Sequence, residues 1–192
     1  MPGTRNTLIT RRFGGKTDRP DTGFRPMISR IRNRTGLPEC VTLIRAAFQT
    51  VAETFRLTPE NCPTHAAFIT EETLRRSFDA GVEMYLLRDQ GRPEGFVAIE
   101  RSPKEVGTYY VEKLAVHPNF RHRGYGRALM EFAVRRVQDL GGRRVSVAMI
   151  DENTRVRAWY AGQGFVTTGV KVFPRLPFRV CFMELSVTPG ER

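Results

Sequence analysis

No stretch of the 192-residue chain approaches a long apolar run. A membrane-spanning helix needs about 20 such residues, so no membrane partner is expected. The N-terminus has no apolar core between a basic start and a small-residue cleavage site, so a secretory leader is not expected either. Cysteine is scarce. Cys40, Cys62 and Cys181 are odd in number, far apart and without a C-x-x-C pair. That excludes a disulfide framework and suggests reduced thiols in a cytoplasmic setting. The three histidines, His65, His117 and His122, lack zinc-ligand spacing, so no metal is expected. There are no internal repeats and no low-complexity runs.

Acidic residues are outnumbered. Lys and Arg total 31 against 20 Asp and Glu, a formal charge of +11. Such a surface suits anionic partners: a phosphorylated cofactor, nucleic acid, or no partner beyond water. Arginine greatly exceeds lysine, which genome composition also produces, so charge alone is a poor pointer to nucleic acid. Apolar content of 40% and charged content of 27% are ordinary for a soluble globular chain. At this length one domain with a real core is the default.

Residues 1–26 carry six basic and two acidic side chains with four glycines, three prolines and no periodicity. They read as a basic, disordered arm, and 27–192 as the folded domain. A first strand is expected over Ile28–Arg34. Pro38 then opens a helix whose apolar face is Val41, Ile44, Phe48, Val51, Ala52 and Phe55. Residues 57–70 read as loop, and Glu71–Ala80 as a short second helix. Strands Glu83–Arg88 and Phe96–Arg101 flank a turn at Asp89-Gln90-Gly91, and Thr108–Val116 completes a meander. A third helix buries Leu129, Phe132, Ala133, Val137 and Leu140 and stops at Gly141-Gly142. Val145–Ile150 (VSVAMI) reads as a central strand buried on both faces, joined by a parallel crossover. A helix over Asn153–Ala161 and strands Phe165–Val172 and Val180–Val187 follow.

The chain is organised around Val111–Leu129, VEKLAVHPNFRHRGYGRAL. Gly124 and Gly126 lack a Cβ, so the backbone can turn tightly and approach a ligand. The helix beyond leaves its first N–H groups without intrahelical partners, and its dipole favours an anion there. Arg121, Arg123 and Arg127 add charge around the same point. A Walker A loop is excluded, because Arg127-Ala128 stands where Lys-Ser/Thr is needed. A Rossmann fingerprint lacks its third small residue, which is Leu129 here. Its glycines are also separated from the strand by a basic loop, although Asp151 past the next strand sits where that motif has an acid.

Three elements in order, a strand into RHRGYGRAL, the strand VSVAMI and NTRVRAWYAGQGF, resemble the GNAT superfamily of acyl-CoA-dependent N-acetyltransferases. RHRGYG is similar to the family's Gln/Arg-x-x-Gly-x-Gly/Ala pyrophosphate loop. Asn153, Tyr160 and Gly164-Phe165 match its second motif. The resemblance implies an α/β fold: a mixed, mostly antiparallel sheet of six to seven strands, about four flanking helices and splayed central strands. It implies acetyl-CoA as co-substrate and acetyl transfer to an amine by direct attack.

Residue by residue, the resemblance implies a pantetheine arm along Leu114, Ala115 and Val116, with the Leu114 amide on the thioester carbonyl. It implies a pyrophosphate held near Arg121, His122, Arg123, Gly124, Tyr125, Gly126 and Arg127, and a cofactor contact from Asn153, which also suits a helix N-cap. Tyr160 matches the family's thiolate-protonating phenol, a role preferred here over packing as core beside Trp159. Glu112 is the base candidate, or simply a strand-surface carboxylate. By period two it shares a face with Tyr110, Leu114 and Val116.

The Glu-Lys-Leu-Ala-Val pattern favours a small-molecule amine acceptor over a histone tail, whose branch has its carboxylate where Tyr110 stands. Phe48, Phe55, Phe68, Phe173 and Phe178 suggest apolar acceptor walls. Glu60, Glu71 and Glu72 read as solvated carboxylates. The resemblance also leaves room for a homodimer through the last strand. The rival classes are a silent acetyl-CoA-binding sensor or scaffold and a basic nucleic-acid-binding module.

Overall fold

The computed structural model describes residues 26–190. The basic arm expected over 1–26 lies, apart from Pro26, outside the described residues. Helix α1 spans Leu37–Phe55, with Pro38 in its first turn, where a missing N–H costs little. Its Leu37, Val41, Ile44 and Ala47 are buried. Helix α2 (Glu71–Asp79) is capped by Thr70, whose hydroxyl accepts from the Thr73 N–H at 3.1 Å. Helices α3 (Tyr125–Asp139) and α4 (Thr154–Ala161) complete the set among the described residues.

The strands are β1 (Met27–Arg30), β2 (Glu83–Asp89), β3 (Arg92–Arg101), β4 (Thr108–Val116), β5 (Arg144–Ile150), β6 (Val166–Val172) and β7 (Arg179–Ser186). They form one sheet in the order β1-β2-β3-β4-β5-β7-β6, antiparallel everywhere except β4–β5. The first strand stops at Arg30, four residues short of expectation. β3 starts at Arg92, four residues early, because Gln90 (φ 50°) and Gly91 (φ 79°) make a tight hairpin turn. Among the described residues no helix is long and apolar enough to cross a membrane.

The sheet separates two cores. On one face Val97, Ile99, Tyr109, Val111, Val145 and Val147 pack with α3 residues Leu129, Ala133 and Val137. On the other, Met84, Leu86, Phe96, Ala98 and Ala115 pack with Leu37 and Ile44 of α1 and Leu74 of α2. A smaller cluster of Ala52, Leu57, Cys62, Ala67 and Ile150 closes one end of the α1 face.

Two irregularities shape the site. β4 and β5 pair only at Thr108–Arg144, Tyr109–Val145 and Tyr110–Ser146. β4 stays on β3 as far as Val116, and β5 stays on β7 as far as Ile150. The two halves of the sheet are therefore held together at one end and part at the other. The expectation that VSVAMI is buried on both faces fails at Ala148, which is exposed beyond the last β4–β5 pair.

The second irregularity is a bulge. Ala98 faces Glu112 and Phe96 faces Ala115, so Val97 stands opposite both Lys113 and Leu114, and Lys113 has φ 52°. An extra residue inverts the alternation of side chains beyond it. The period-two expectation for Glu112 therefore holds for Tyr110, which precedes the bulge, and fails for Leu114 and Val116, which follow it. Leu114 and Val116 pack against the α3-side core, whereas Glu112 follows Ala98 to the α1 side.

Candidate active site

The basic loop leaves β4 through a single 3₁₀ turn, Pro118–Phe120. The His117 ring accepts from the Asn119 N–H at 3.4 Å, and its own backbone N–H donates to the Glu94 carbonyl at 2.9 Å. His122 (φ 62°) and Gly124 (φ 85°) then turn the chain into α3. The first intrahelical bond runs from the Ala128 N–H to the Gly124 carbonyl at 2.9 Å. The amides of Gly126 and Arg127 precede it, at the positive end of the helix dipole, and the helix has no side-chain cap.

A Cβ built on Gly124 meets nothing within 4 Å, so glycine is needed there for its backbone angle and not for space. On Gly126 it would meet the Trp159 ring at 3.5 Å and Val116 at 3.8 Å. The helix start therefore faces α4 and the end of β4, at the mouth of the gap between the sheet halves. Donors converging on an open cradle fit an anion such as a pyrophosphate.

The basic side chains divide. Arg121 does not stand free: its guanidinium donates to the Ala47 carbonyl at 2.6 Å and to Thr50 Oγ1 at 3.0 Å, tying the loop to α1. Burial, with Arg155 nearby, pulls its pKa below the usual arginine value. Arg123 stacks on the Phe120 ring at 4.8 Å, and Arg127 is exposed. His122 Nε2 lies 3.4 Å from an Arg155 guanidinium nitrogen, which brings α4 to the loop. The Tyr125 side chain points inward and is buried, its hydroxyl on the Asp89 carboxylate, so only its backbone faces the helix mouth.

Glu112 and Lys113 sit just past the last β4–β5 pair. Lys113 Nζ donates to Glu112 Oε2 at 2.6 Å. Diagonally across on β3, opposite Tyr110, the pKa of the Glu100 carboxyl is raised by burial and then by the Glu112 charge. On α4, Asn153 accepts from the Val156 N–H at 3.2 Å and fixes the start of the helix. Tyr160, two turns on, is buried between Trp159 (ring centroids 4.9 Å) and Phe165 (5.3 Å). Burial pushes its phenol well above the ordinary value, and its hydroxyl has no hydrogen-bond partner among the described residues. It keeps its proton at neutral pH and has no internal acceptor to give it to.

Asp151 departs from its Rossmann-like position. It is buried and paired with Arg157 (2.9 Å) and Arg179 (2.7 Å), pinning α4 to β7. On the α1 side, Phe48, Phe55, Phe68 and Phe178 all pack against the cluster around Ile150, while Phe173 is 39% exposed near Phe182. The first helix, its loop and the last hairpin thus meet at one end of the sheet. Glu60, Glu71 and Glu72 are exposed, and Glu72 is paired with Arg75.

Sequence reading missed Glu94, which is 2% exposed behind the loop with Arg92 at 3.6 Å. It lies in Pro93-Glu94-Gly95, between the expected turn at Asp89-Gln90-Gly91 and the expected strand start at Phe96, and falls inside β3. It also missed Arg155, which no local pattern marks. Among the described residues no three His, Cys, Asp or Glu side chains are placed to hold a metal ion.

Residues 45–165 match the model of the Acetyltransferase (GNAT) family. The chain is 23% identical over 148 residues to an uncharacterized N-acetyltransferase in the pepI 3′ region of Lactobacillus delbrueckii subsp. lactis, covering 71% of this chain and 83% of that protein. Its fold is similar to that of the ribosomal-protein-S18-alanine N-acetyltransferase of Escherichia coli (TM-score 0.68, 18% identity, 87% of this chain and 97% of that one). It is also similar to the PaiA N-acetyltransferase of Thermoplasma acidophilum, solved with coenzyme A (TM-score 0.69, 14% identity, 85% and 99%).

Proposed function

Since the chain belongs to the GNAT acetyltransferase family and is an acyltransferase, we propose that it moves an acetyl group from acetyl-CoA to a primary amine on a small molecule by direct attack. The observation that carries this reading is the parting of β4 and β5 beyond Tyr110–Ser146, with the start of α3 facing its mouth. The co-substrate supplies the activated thioester, and everything else is done by the protein.

The amides of Gly126 and Arg127 and the loop from Arg121 to Tyr125 hold the pyrophosphate, Arg121 acting by anchoring the loop. Arg123, Arg127 and His122 form the basic rim. The edge of β4 at Leu114, Ala115 and Val116 receives the pantetheine arm, and Asn153 steadies it from α4. The bulge leaves Leu114 outside the regular β3–β4 pairing, and its amide polarises the thioester carbonyl. Glu112, on the acceptor side of the sheet, draws the proton from the incoming ammonium. Tyr160 protonates the leaving thiolate; as a buried phenol it holds that proton until a base forms beside it. The acceptor enters from the α1 side, between Phe48, Phe68 and Phe178. Residues 27–192 form the acyltransferase domain, with 1–26 a basic arm that takes no part.

Calorimetry with coenzyme A, then a panel of amines with a free-thiol readout, tests the assignment. Tyr160→Phe is expected to lower kcat by about 10²-fold with coenzyme A affinity unchanged. Folding stability should not fall, because the hydroxyl has no partner to lose. Full turnover in that variant removes Tyr160 from the chemistry, and no affinity for coenzyme A removes the function.

A further inference from the structure

Lysine is rare here: four in the chain, at 16, 104, 113 and 171. One of them stands inside the site. Lys113 occupies the bulge residue of β4 at φ 52°, a left-handed angle unusual for a side chain of this size. Its side chain is only 22% exposed, although lysine is among the residues least often covered. Its Nζ is 2.6 Å from Glu112 Oε2, and it precedes the Leu114 amide in the chain. A primary ammonium is thus already seated on the carboxylate that, in the reading above, deprotonates the acceptor.

We infer that Lys113 is an internal acceptor: without an external amine the protein acetylates its own Lys113 side chain. The inference rests on the proposed acetyl transfer. The Lys113 ammonium gives one proton to Glu112. The free amine attacks the thioester carbonyl, so an N–C bond forms and the C–S bond breaks. The amine sheds its second proton to water, and Tyr160 protonates the thiolate. The balance is one ammonium and one acetyl-CoA consumed, with one amide, one free coenzyme A and one proton released. Acetylation removes the charge that faces Glu112 and places an amide in the acceptor's path, so the modified protein turns over external amines more slowly.

The test is peptide mass spectrometry of the full chain incubated with isotopically labelled acetyl-CoA and no amine. Lys104 and Lys171, both exposed, serve as internal references for uncatalysed acetylation. Label is expected on Lys113 at least ~10-fold faster than on either reference, as for a reactant held in place. The rate should be unchanged on diluting the protein and should fall to the reference rate in Glu112→Gln. Lys113 left unlabelled, labelled no faster than the references, or labelled at a rate that falls on dilution overturns the inference, and the dilution result needs no variant. Calorimetry with coenzyme A in parallel separates the two readings. Affinity without label on Lys113 overturns self-acetylation alone, and absence of both overturns the acetyl-transfer reading with it.

Discussion

Gly124→Ala isolates the backbone angle on which the helix mouth depends. Gly124 holds φ 85°, ψ −5°, and a Cβ there would touch nothing within 4 Å. No clash is introduced, so the whole effect is conformational. A left-handed angle costs a non-glycine residue roughly 1–2 kcal/mol. Alanine recovers about 0.4–1 kcal/mol by restricting the unfolded chain. The net expectation is about 1 kcal/mol of destabilisation, a drop in Tm of about 2–4 °C for a chain of this size. If the loop relieves the strain by leaving its angle, coenzyme A affinity falls by about fivefold, the equivalent of the same 1 kcal/mol. Gly124→Asn should recover much of both losses, since asparagine tolerates the left-handed region. Urea unfolding and calorimetry on the three proteins measure both quantities. Wild-type stability and affinity in Gly124→Ala would refute the reasoning, as would an asparagine variant worse than the alanine one.

Three further outcomes follow from the same structure. Arg121→Met removes two hydrogen bonds from the loop to α1 and should cost about 1–2 kcal/mol; hydrogen exchange at Arg123–Arg127 should quicken, and an unchanged exchange pattern would show that the clamp is idle. Glu83 is held below its ordinary value of 4.5, chiefly by the hydrogen bond from Arg136. Its folded pKa lies below the unfolded one, so its stabilisation is full above that ordinary value and is lost as pH falls through the folded value. Urea titration should therefore find Glu83→Gln less stable than wild type at pH 7, with the gap closing in acid; a gap constant with pH would contradict the pairing. All three cysteines are buried, and burial pushes the Cys40 thiol up to about 12. A thiol reagent at mild alkaline pH should leave the native protein unmodified and titrate three thiols in denaturant, and rapid native labelling would place a cysteine at the surface.

The local order of the chain was legible without coordinates, because each part is a short-range effect. Period-two strands, a glycine pair before a 3.6-period helix, and an asparagine at a helix start act within a few residues. Thr108–Val116 falls on β4 to the residue, and Thr154–Ala161 begins directly after its Asn153 cap. The family resemblance, built on those same segments, agrees with the family match and with the seven-stranded, mostly antiparallel sheet.

Tertiary structure decided what depends on a partner distant in sequence. The bulge at Lys113 exists because β3 supplies Val97 opposite two residues of β4, and it alone reverses the faces of Leu114 and Val116. The gap exists because β5 follows β7 instead of β4. Arg121 looked like a phosphate ligand until α1, 71 residues away, offered Thr50 and the Ala47 carbonyl. Asp151 was claimed by Arg157 and Arg179, and Glu94 was buried under a loop more than twenty residues on. The sequence determined by itself which segments are strand, turn and helix, since those choices are settled by neighbours along the chain. Which side chains are free to do chemistry is settled by neighbours in space, and only the folded sheet assigns those.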